Sequence, residues 1–225
     1  MRDYGTETNG FDFNPLSICI FIHEIKNIKM LTRVVAVGVL INFAIIALLQ
    51  GPDVVGFDPT YGTITSILNF VIAFCTTGVL MGIYVVFDVK KTFDLAHMHS
   101  VLFVAVCVQM IFALGSVFTY NSVFETVLTA SQVGAIGGSI TNTIFFLYGM
   151  YAYLLVTRDH NNLLSSRTQT VGKIFAGIIV PVQALTLFGL IPAAVFAPLF
   201  VLGGVVLYPL LMIGIGDAIG NYQQT

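Results

Sequence analysis

A run without a single charged residue, from Ile174 to Ile215, constrains the fold of this chain more than any other feature. As one α-helix, the run would be roughly 60 Å long, about twice the thickness of the hydrocarbon core of a bilayer. The run therefore has to turn back on itself. Gly189 and Pro192 provide the break, because proline lacks the backbone donor that a continuing helix needs. The sequence predicts two helices joined by a tight hairpin here, with a re-entrant segment as the alternative.

The composition of the whole chain indicates that lipid, not water, is its main solvent. Of the 225 residues, 57% are hydrophobic and 9% are charged, and the mean hydropathy is +0.94. A soluble domain carries about 25% charged residues, so the charges here are too few to cover a globular surface in water. The predicted partner is therefore the lipid bilayer. The net charge of −2 argues against nucleic acid as a partner.

Apolar segments long enough to cross a bilayer as helices occur six times. They lie at residues 34–50, 63–87, 100–119, 133–157, 171–190 and 193–215. The sequence therefore predicts an all-α fold, a bundle of six transmembrane helices that forms one domain over residues 30–217. Residues 218–225 are predicted to be a short cytoplasmic tail.

The charged residues predict the orientation of this bundle. All 9 basic residues fall on one side of the six-helix arrangement, namely Arg2, Lys26, Lys29, Arg33, Lys90, Lys91, Arg158, Arg167 and Lys173. The loops on the other side carry Asp53, Asp58 and Glu125 and no basic residue. Because cytoplasmic loops are enriched in Lys and Arg, both termini are predicted to be cytoplasmic. We expect a multi-pass protein of a cytoplasmic or inner membrane.

The first 29 residues differ in character from the rest. Residues 1–14 are polar, and residues 16–29 place Ile18, Phe21, Ile22 and Ile25 near helical spacing. This apolar stretch is too short to span, so it predicts an interfacial amphipathic helix that leads into the first span. The alternative is that Met30 is the real start and that residues 1–29 are a dispensable extension.

Each of the first five predicted helices carries one amide side chain away from its ends, and none carries a charge at mid-depth. These amides are Asn42, Asn69, Gln109, Asn142 and Gln183. An amide that faces lipid leaves two donors and an acceptor unpaired, so all five are expected to face the interior of the bundle. There they either line a polar cavity for a solute or only hydrogen-bond between helices.

These amides lead to the predicted function. The first hypothesis is a channel or facilitator for a small neutral or weakly charged solute, with the five amides along its path. The second is a non-catalytic membrane subunit or scaffold. Gly78 and Gly82, and likewise Gly134 and Gly138, form GxxxG pairs that permit close helix packing. They favour a tight bundle, a homo-oligomer or a complex with another membrane protein.

Histidines and cysteines give no sign of a metal site or a cofactor. His97 and His99 lie one residue apart at the predicted cytoplasmic mouth of the third helix, where we expect interfacial side chains. A four-ligand zinc spacing is absent, and the 3 cysteines form no CxxC pair. The sequence predicts no metal, no cofactor and no established catalytic set, so an enzyme is the less favoured class.

One short motif nevertheless suggests a reaction. Gly214-Ile215-Gly216-Asp217 resembles the GxGD signature of intramembrane aspartyl proteases, the presenilin-like and prepilin-peptidase-like enzymes. The resemblance covers four residues and implies Asp217 as one carboxylate of a catalytic pair, with Asp88 as the partner. The PAL motif and the further helices of those enzymes do not follow Asp217. The alternative is that small residues end the last helix and that Asp217 marks its exit into water.

Overall fold

The computed structural model describes residues 27–49, 59–120, 130–159, 161–190 and 197–222. All regular structure in these residues is helical, and six helices are long and apolar enough to cross a membrane. The prediction of an all-α fold with six helices of membrane-spanning length is thus confirmed for the described residues. We call these six helices the spans. The predicted interfacial helix lies almost wholly outside the described residues, as do Pro192 and the acidic residues Asp53, Asp58 and Glu125.

The sixth span is built differently from the other five. The α-helices are α1 (Ile28–Leu49), α2 (Pro59–Val86), α3 (Phe93–Tyr120), α4 (Ala130–Thr157), α5 (Ser166–Leu187), α6 (Ala197–Val201) and α7 (Tyr208–Tyr222). A 3-10 turn, Val89–Lys91, lies between α2 and α3, and a π-helical segment, Leu202–Leu207, joins α6 to α7. Together α6, the π-helical segment and α7 form the sixth span, Pro198–Tyr222.

The six spans form a closed ring. Each span packs against the next one in the chain, and α7 packs against α1. Because consecutive spans run in opposite directions, one end of the ring holds the starts of α1, α3 and α5 and the ends of α2, α4 and α7. We call this the basic end, since it carries every basic residue that the structure describes. These are Lys29, Arg33, Lys90, Lys91, Arg158, Arg167 and Lys173.

Ion pairs at the basic end join neighbouring helices. Lys29 Nζ lies 2.9 Å from Asp217 Oδ1, which links the start of α1 to α7. Arg158 Nη2 lies 2.7 Å from Asp94 Oδ2, which links the end of α4 to the start of α3. All four side chains are between 42% and 49% exposed, so each pair contributes at most about 1 kcal/mol to stability. The pairs fix which helix ends meet more than they stabilise the fold.

The helices extend beyond the predicted apolar spans, mainly at the basic end. Helix α1 begins at Ile28, α3 at Phe93 and α5 at Ser166, and α7 continues to Tyr222. Hydropathy locates the residues that suit lipid, whereas a helix continues until its backbone is capped. At α5 that cap is Ser165, whose hydroxyl accepts a hydrogen bond from the Thr168 backbone N–H at 3.2 Å.

The predicted break in the uncharged run lies where Gly189 stands. Helix α5 ends at Leu187, and Gly189 takes a left-handed conformation with φ 66°. The Gly189 N–H then bonds the Thr186 carbonyl, and the Leu190 N–H bonds the Leu185 carbonyl, at 3.0 and 2.9 Å. This is the Schellman pattern that ends helices at glycine.

Candidate functional site

A cavity of about 390 Å³ lies inside the ring, in the half of the bundle away from the basic end. All five amides singled out from the sequence line it, one from each of helices α1 to α5. They are Asn42, Asn69, Gln109, Asn142 and Gln183. The structure therefore brings together side chains from five different helices. That they bind a solute stays a prediction.

The remaining lining is a mixture of hydroxyl-bearing, aromatic, aliphatic and glycine residues and carries no charge. Hydroxyls come from Thr65, Ser66, Ser116 and Thr141. Aromatic rings come from α1, α3, α4 and α6 and belong to Phe43, Phe112, Phe145 and Phe200. None of the described residues that line the cavity has an ionisable side chain. Burying a charge without a partner is very costly, so this lining suits a neutral guest.

The amides inside the cavity are unevenly satisfied. Asn42 Nδ2 donates to Asn69 Oδ1 at 3.1 Å, which bridges α1 and α2. The other atom of that amide, Asn42 Oδ1, is buried with no hydrogen-bond partner among the described residues. The same holds for Gln183 Oε1, on a side chain that is 2% exposed. An unmet buried acceptor costs about 1–3 kcal/mol, so two of them in one cavity favour a guest that donates hydrogen bonds.

Glycines shape two walls of the cavity in opposite ways. Gly138 of α4 lines the cavity, and a Cβ atom built there would meet nothing within 4 Å. Gly203 and Gly204, in the π-helical segment, are instead tightly packed. A Cβ at Gly203 would lie 2.2 Å from Ile179, and one at Gly204 would lie 2.5 Å from Phe43. Since Ile179 and Phe43 both line the cavity, the π-helical segment lies directly behind its wall.

An aromatic cluster closes the cavity toward the basic end. The ring of Phe145, which lines the cavity, lies 5.6 Å from the ring of Tyr208. Tyr148 and Phe175 also pack against Tyr208, at 5.2 and 5.9 Å between ring centroids. The hydroxyls of Tyr148, Tyr208 and Thr76 hydrogen-bond with one another. We call Phe145, Tyr148, Phe175 and Tyr208 the floor of the cavity. Three of them are buried, so the floor separates the cavity from the basic end.

His99, which the sequence was expected to place at the membrane interface, is buried between helices in the basic half of the bundle. Both histidines belong to α3, but His97 is exposed while His99 is 6% exposed. The His99 Nδ1 atom lies 2.8 Å from the Tyr151 hydroxyl. The spacing of the buried residues Leu95, Leu102 and Val106 on α3 would have identified this face, had the helix been predicted to start at Phe93. The described residues hold no cluster of three or more potential metal ligands.

The buried pair of His99 and Tyr151 gives a prediction about stability. Tyr151→Phe removes the hydroxyl partner of a buried imidazole nitrogen and should lower the free energy of unfolding by about 1–3 kcal/mol. The double variant His99→Phe with Tyr151→Phe should lose less than the sum of the two single variants, because no polar group is then left unpaired. Melting temperatures of the purified protein in detergent measure both effects. Additive losses would show that the hydrogen bond contributes nothing.

The glycines of the GxGD motif are helix-packing residues in this structure. A Cβ at Gly216 would lie 2.1 Å from Thr32 Oγ1 on α1, and one at Gly214 would lie 2.3 Å from Thr168 Oγ1 on α5. The two acids of the suggested pair are engaged elsewhere. Asp217 pairs with Lys29, and Asp88 pairs with Lys91 at 2.5 Å, which raises the pKa of the Lys91 ammonium. Asp88 also closes α2 in a left-handed conformation, with φ 48°.

Comparison of the chain with protein-family models, with curated proteins and with solved structures finds no match.

Proposed function

We propose that this chain is an integral membrane protein that binds a small neutral or weakly charged solute inside its helix ring and passes it across the membrane. One observation carries the proposal: amides from five different helices surround a single cavity, and two of their oxygens have no partner among the described residues. Amides placed only to hold helices together would satisfy one another. Here Asn42 and Asn69 do so, and the oxygens of Asn42 and Gln183 do not.

The size of the cavity supports a solute-sized guest. At about 390 Å³ it falls within the range of small-molecule pockets, roughly 300–1,000 Å³, and is far larger than one water molecule needs. Apolar and aromatic walls with a few polar groups are also the usual lining of such sites. A solute of this kind would be dehydrated on one side by the phenylalanines and would exchange hydrogen bonds with the amides on the other.

The floor decides what kind of passage is required. Because Tyr148, Phe175 and Tyr208 are buried between the cavity and the basic end, passage needs the floor to open. The π-helical segment is the element best placed to permit this. The segment ends at Leu207, directly before Tyr208 of the floor, and π-helical turns are frequent at functional sites. The proposal is therefore a facilitator that changes conformation, in preference to a permanently open pore.

Two alternatives have less support. A non-catalytic subunit or scaffold accounts for the Asn42–Asn69 hydrogen bond but leaves the unpartnered oxygens without a purpose. A GxGD peptidase needs two carboxylates that share a water, whereas Asp217 and Asp88 pair with different lysines. The close contacts of Gly214 and Gly216 account for the motif without catalysis.

The proposal includes an orientation. The basic end is placed in the cytoplasm, so that both termini are cytoplasmic and the cavity lies in the outer half of a cytoplasmic or inner membrane. A fluorescent protein fused after Thr225 should therefore be fluorescent, and alkaline phosphatase fused at the same place should be inactive. Fusions of both reporters within residues 51–58 should give the reverse pattern. An active C-terminal phosphatase would invert the orientation.

Solute flux tests the proposal itself. The full-length chain is purified and reconstituted into phosphatidylcholine liposomes, and solute entry is followed by stopped-flow light scattering. The panel consists of urea, acetamide, glycerol and erythritol. At least one of them should enter several times faster than into empty liposomes. Rates equal to those of empty liposomes for all four solutes would contradict the proposed function.

A further inference from the structure

The buried polar atoms of the cavity residues that lack a partner among the described residues are acceptors, and this restricts the chemistry of a guest that would pair with them. The two buried, unpartnered atoms are both carbonyl oxygens, on Asn42 and Gln183. The Ser116 hydroxyl, a third lining group, donates its proton to the Phe112 backbone carbonyl at 2.8 Å. Its oxygen then offers lone pairs only. A guest that hydrogen-bonds to these groups has to supply the donor N–H or O–H groups.

The helices that carry the two acceptor oxygens indicate how a guest would bond to them. Asn42 stands on α1 and Gln183 on α5, and the sixth span packs between these two helices. Its π-helical segment touches Phe43 and Ile179, which are neighbours of Asn42 and Gln183 in sequence or on the helix. The unpartnered oxygens of Asn42 and Gln183 thus belong to the two helices on either side of the sixth span. A guest with N–H or O–H donors on two of its edges could bond to both.

The phenylalanine rings that line the cavity disfavour most other guests that carry hydrogen-bond donors. Rings from α1, α3, α4 and α6 line the same space, and aromatic faces pack well against flat groups. A polyol has donors but no flat face. A bare cation would have to lose its hydration shell in a lining without a carboxylate, which is costly. A planar neutral molecule with N–H donors meets both the oxygens and the rings.

We propose that the guest of the cavity is a small planar amide or urea-type molecule, held by N–H donation to the oxygens of Asn42 and Gln183. This inference rests on the proposed function and names its substrate class. It also assigns Gln183 as the residue that most directly selects for N–H donors. Its side chain is 2% exposed, and its oxygen has no partner among the described residues.

The test compares solutes and one matched pair of variants in proteoliposomes of the full-length chain. Urea and acetamide should enter faster than into empty liposomes, while glycerol and potassium ions should not. Tetramethylurea, which keeps the urea carbonyl but has no N–H, should not compete with urea. Gln183→Met keeps the side-chain length and loses the acceptor, and it should slow protein-dependent urea entry by about tenfold.

Gln169→Met is the control, because Gln169 lies on the same helix outside the cavity and bonds the Leu164 carbonyl. It should leave urea entry unchanged. Faster entry of glycerol with urea at background would overturn the inference and leave the proposed function standing. Entry of potassium with every neutral solute at background would overturn both. Unchanged urea entry in Gln183→Met, or competition by tetramethylurea, would also overturn it. Background rates for every solute would remove the proposed function and the inference with it.

Discussion

Gly138→Leu should reduce protein-dependent solute entry into liposomes to the level of empty liposomes, a loss of about tenfold or more. Gly138 lines the cavity, and a Cβ there would meet nothing within 4 Å, so the new side chain has room to enter the cavity without displacing the backbone. It then occupies space that the solute needs. A tenfold loss corresponds to a free-energy change of about 1.4 kcal/mol. A side chain that fills part of a binding site is expected to have an effect of at least this size.

The control for this variant is Gly115→Leu. Gly115 stands near the end of α3, in the same half of the bundle as Gly138, and a Cβ there also meets nothing within 4 Å. Both glycines are exposed, but Gly115 does not line the cavity. Its neighbours on that face, Ile111 and Phe118, are exposed as well, as expected for a surface that faces lipid. Gly115→Leu should leave solute entry unchanged. Equal entry for wild type and Gly138→Leu would show that the cavity is not on the solute path.

Gly216→Ala should destabilise the protein, although it replaces glycine by a better helix former. Alanine in the middle of a helix gains about 1 kcal/mol over glycine. Here its Cβ would lie 2.1 Å from Thr32 Oγ1 and 3.0 Å from Thr32 Cβ, so α1 and α7 have to move apart. Overpacking of this kind costs about 1–3 kcal/mol and is expected to outweigh the gain. The melting temperature in detergent should fall.

Three further variants separate the packing role of this motif from a catalytic one. Gly220→Ala, one turn further along α7, meets only the flexible Lys29 side chain at 3.3 Å and should be neutral or slightly stabilising. Adding Thr32→Ala to Gly216→Ala should restore part of the lost stability. Asp217→Asn removes the exposed pair with Lys29 and should cost no more than about 1 kcal/mol. A Gly216→Ala variant as stable as wild type would contradict the packing role of the motif.

The number of helices and the inward-facing amides could be predicted because lipid imposes strict rules. A chain with 9% charged residues and a long uncharged run has few ways to satisfy its backbone other than membrane-spanning helices. The same rule turns the amides of Asn42, Gln109 and Gln183 away from lipid, and all three line the cavity. The sequence left open whether the amides share one cavity or only join helices, because that depends on the order of helices around the ring.

The π-helical segment and the aromatic floor could not be predicted from local patterns, and the burial of His99 was missed. The π-helical geometry arises where Gly203 and Gly204 meet side chains of α5 and α1, a tertiary contact. Tyr148 and Tyr208 come from α4 and the start of α7, and nothing in the spacing of either segment relates one to the other. His99 was assigned to an interface because the apolar span was predicted to start after it, whereas α3 begins at Phe93.

Access of water to the cavity tests the central claim most directly. In a chain with Cys19, Cys75 and Cys107 replaced by alanine, Gly138→Cys and Gly115→Cys place a thiol inside the cavity and on the outer surface of the ring. Small charged methanethiosulfonate reagents react with ionised thiols in water and not in lipid. The account predicts that Gly138→Cys is modified rapidly in proteoliposomes and that Gly115→Cys is not. An unreactive Gly138→Cys in the folded protein would contradict a water-accessible cavity.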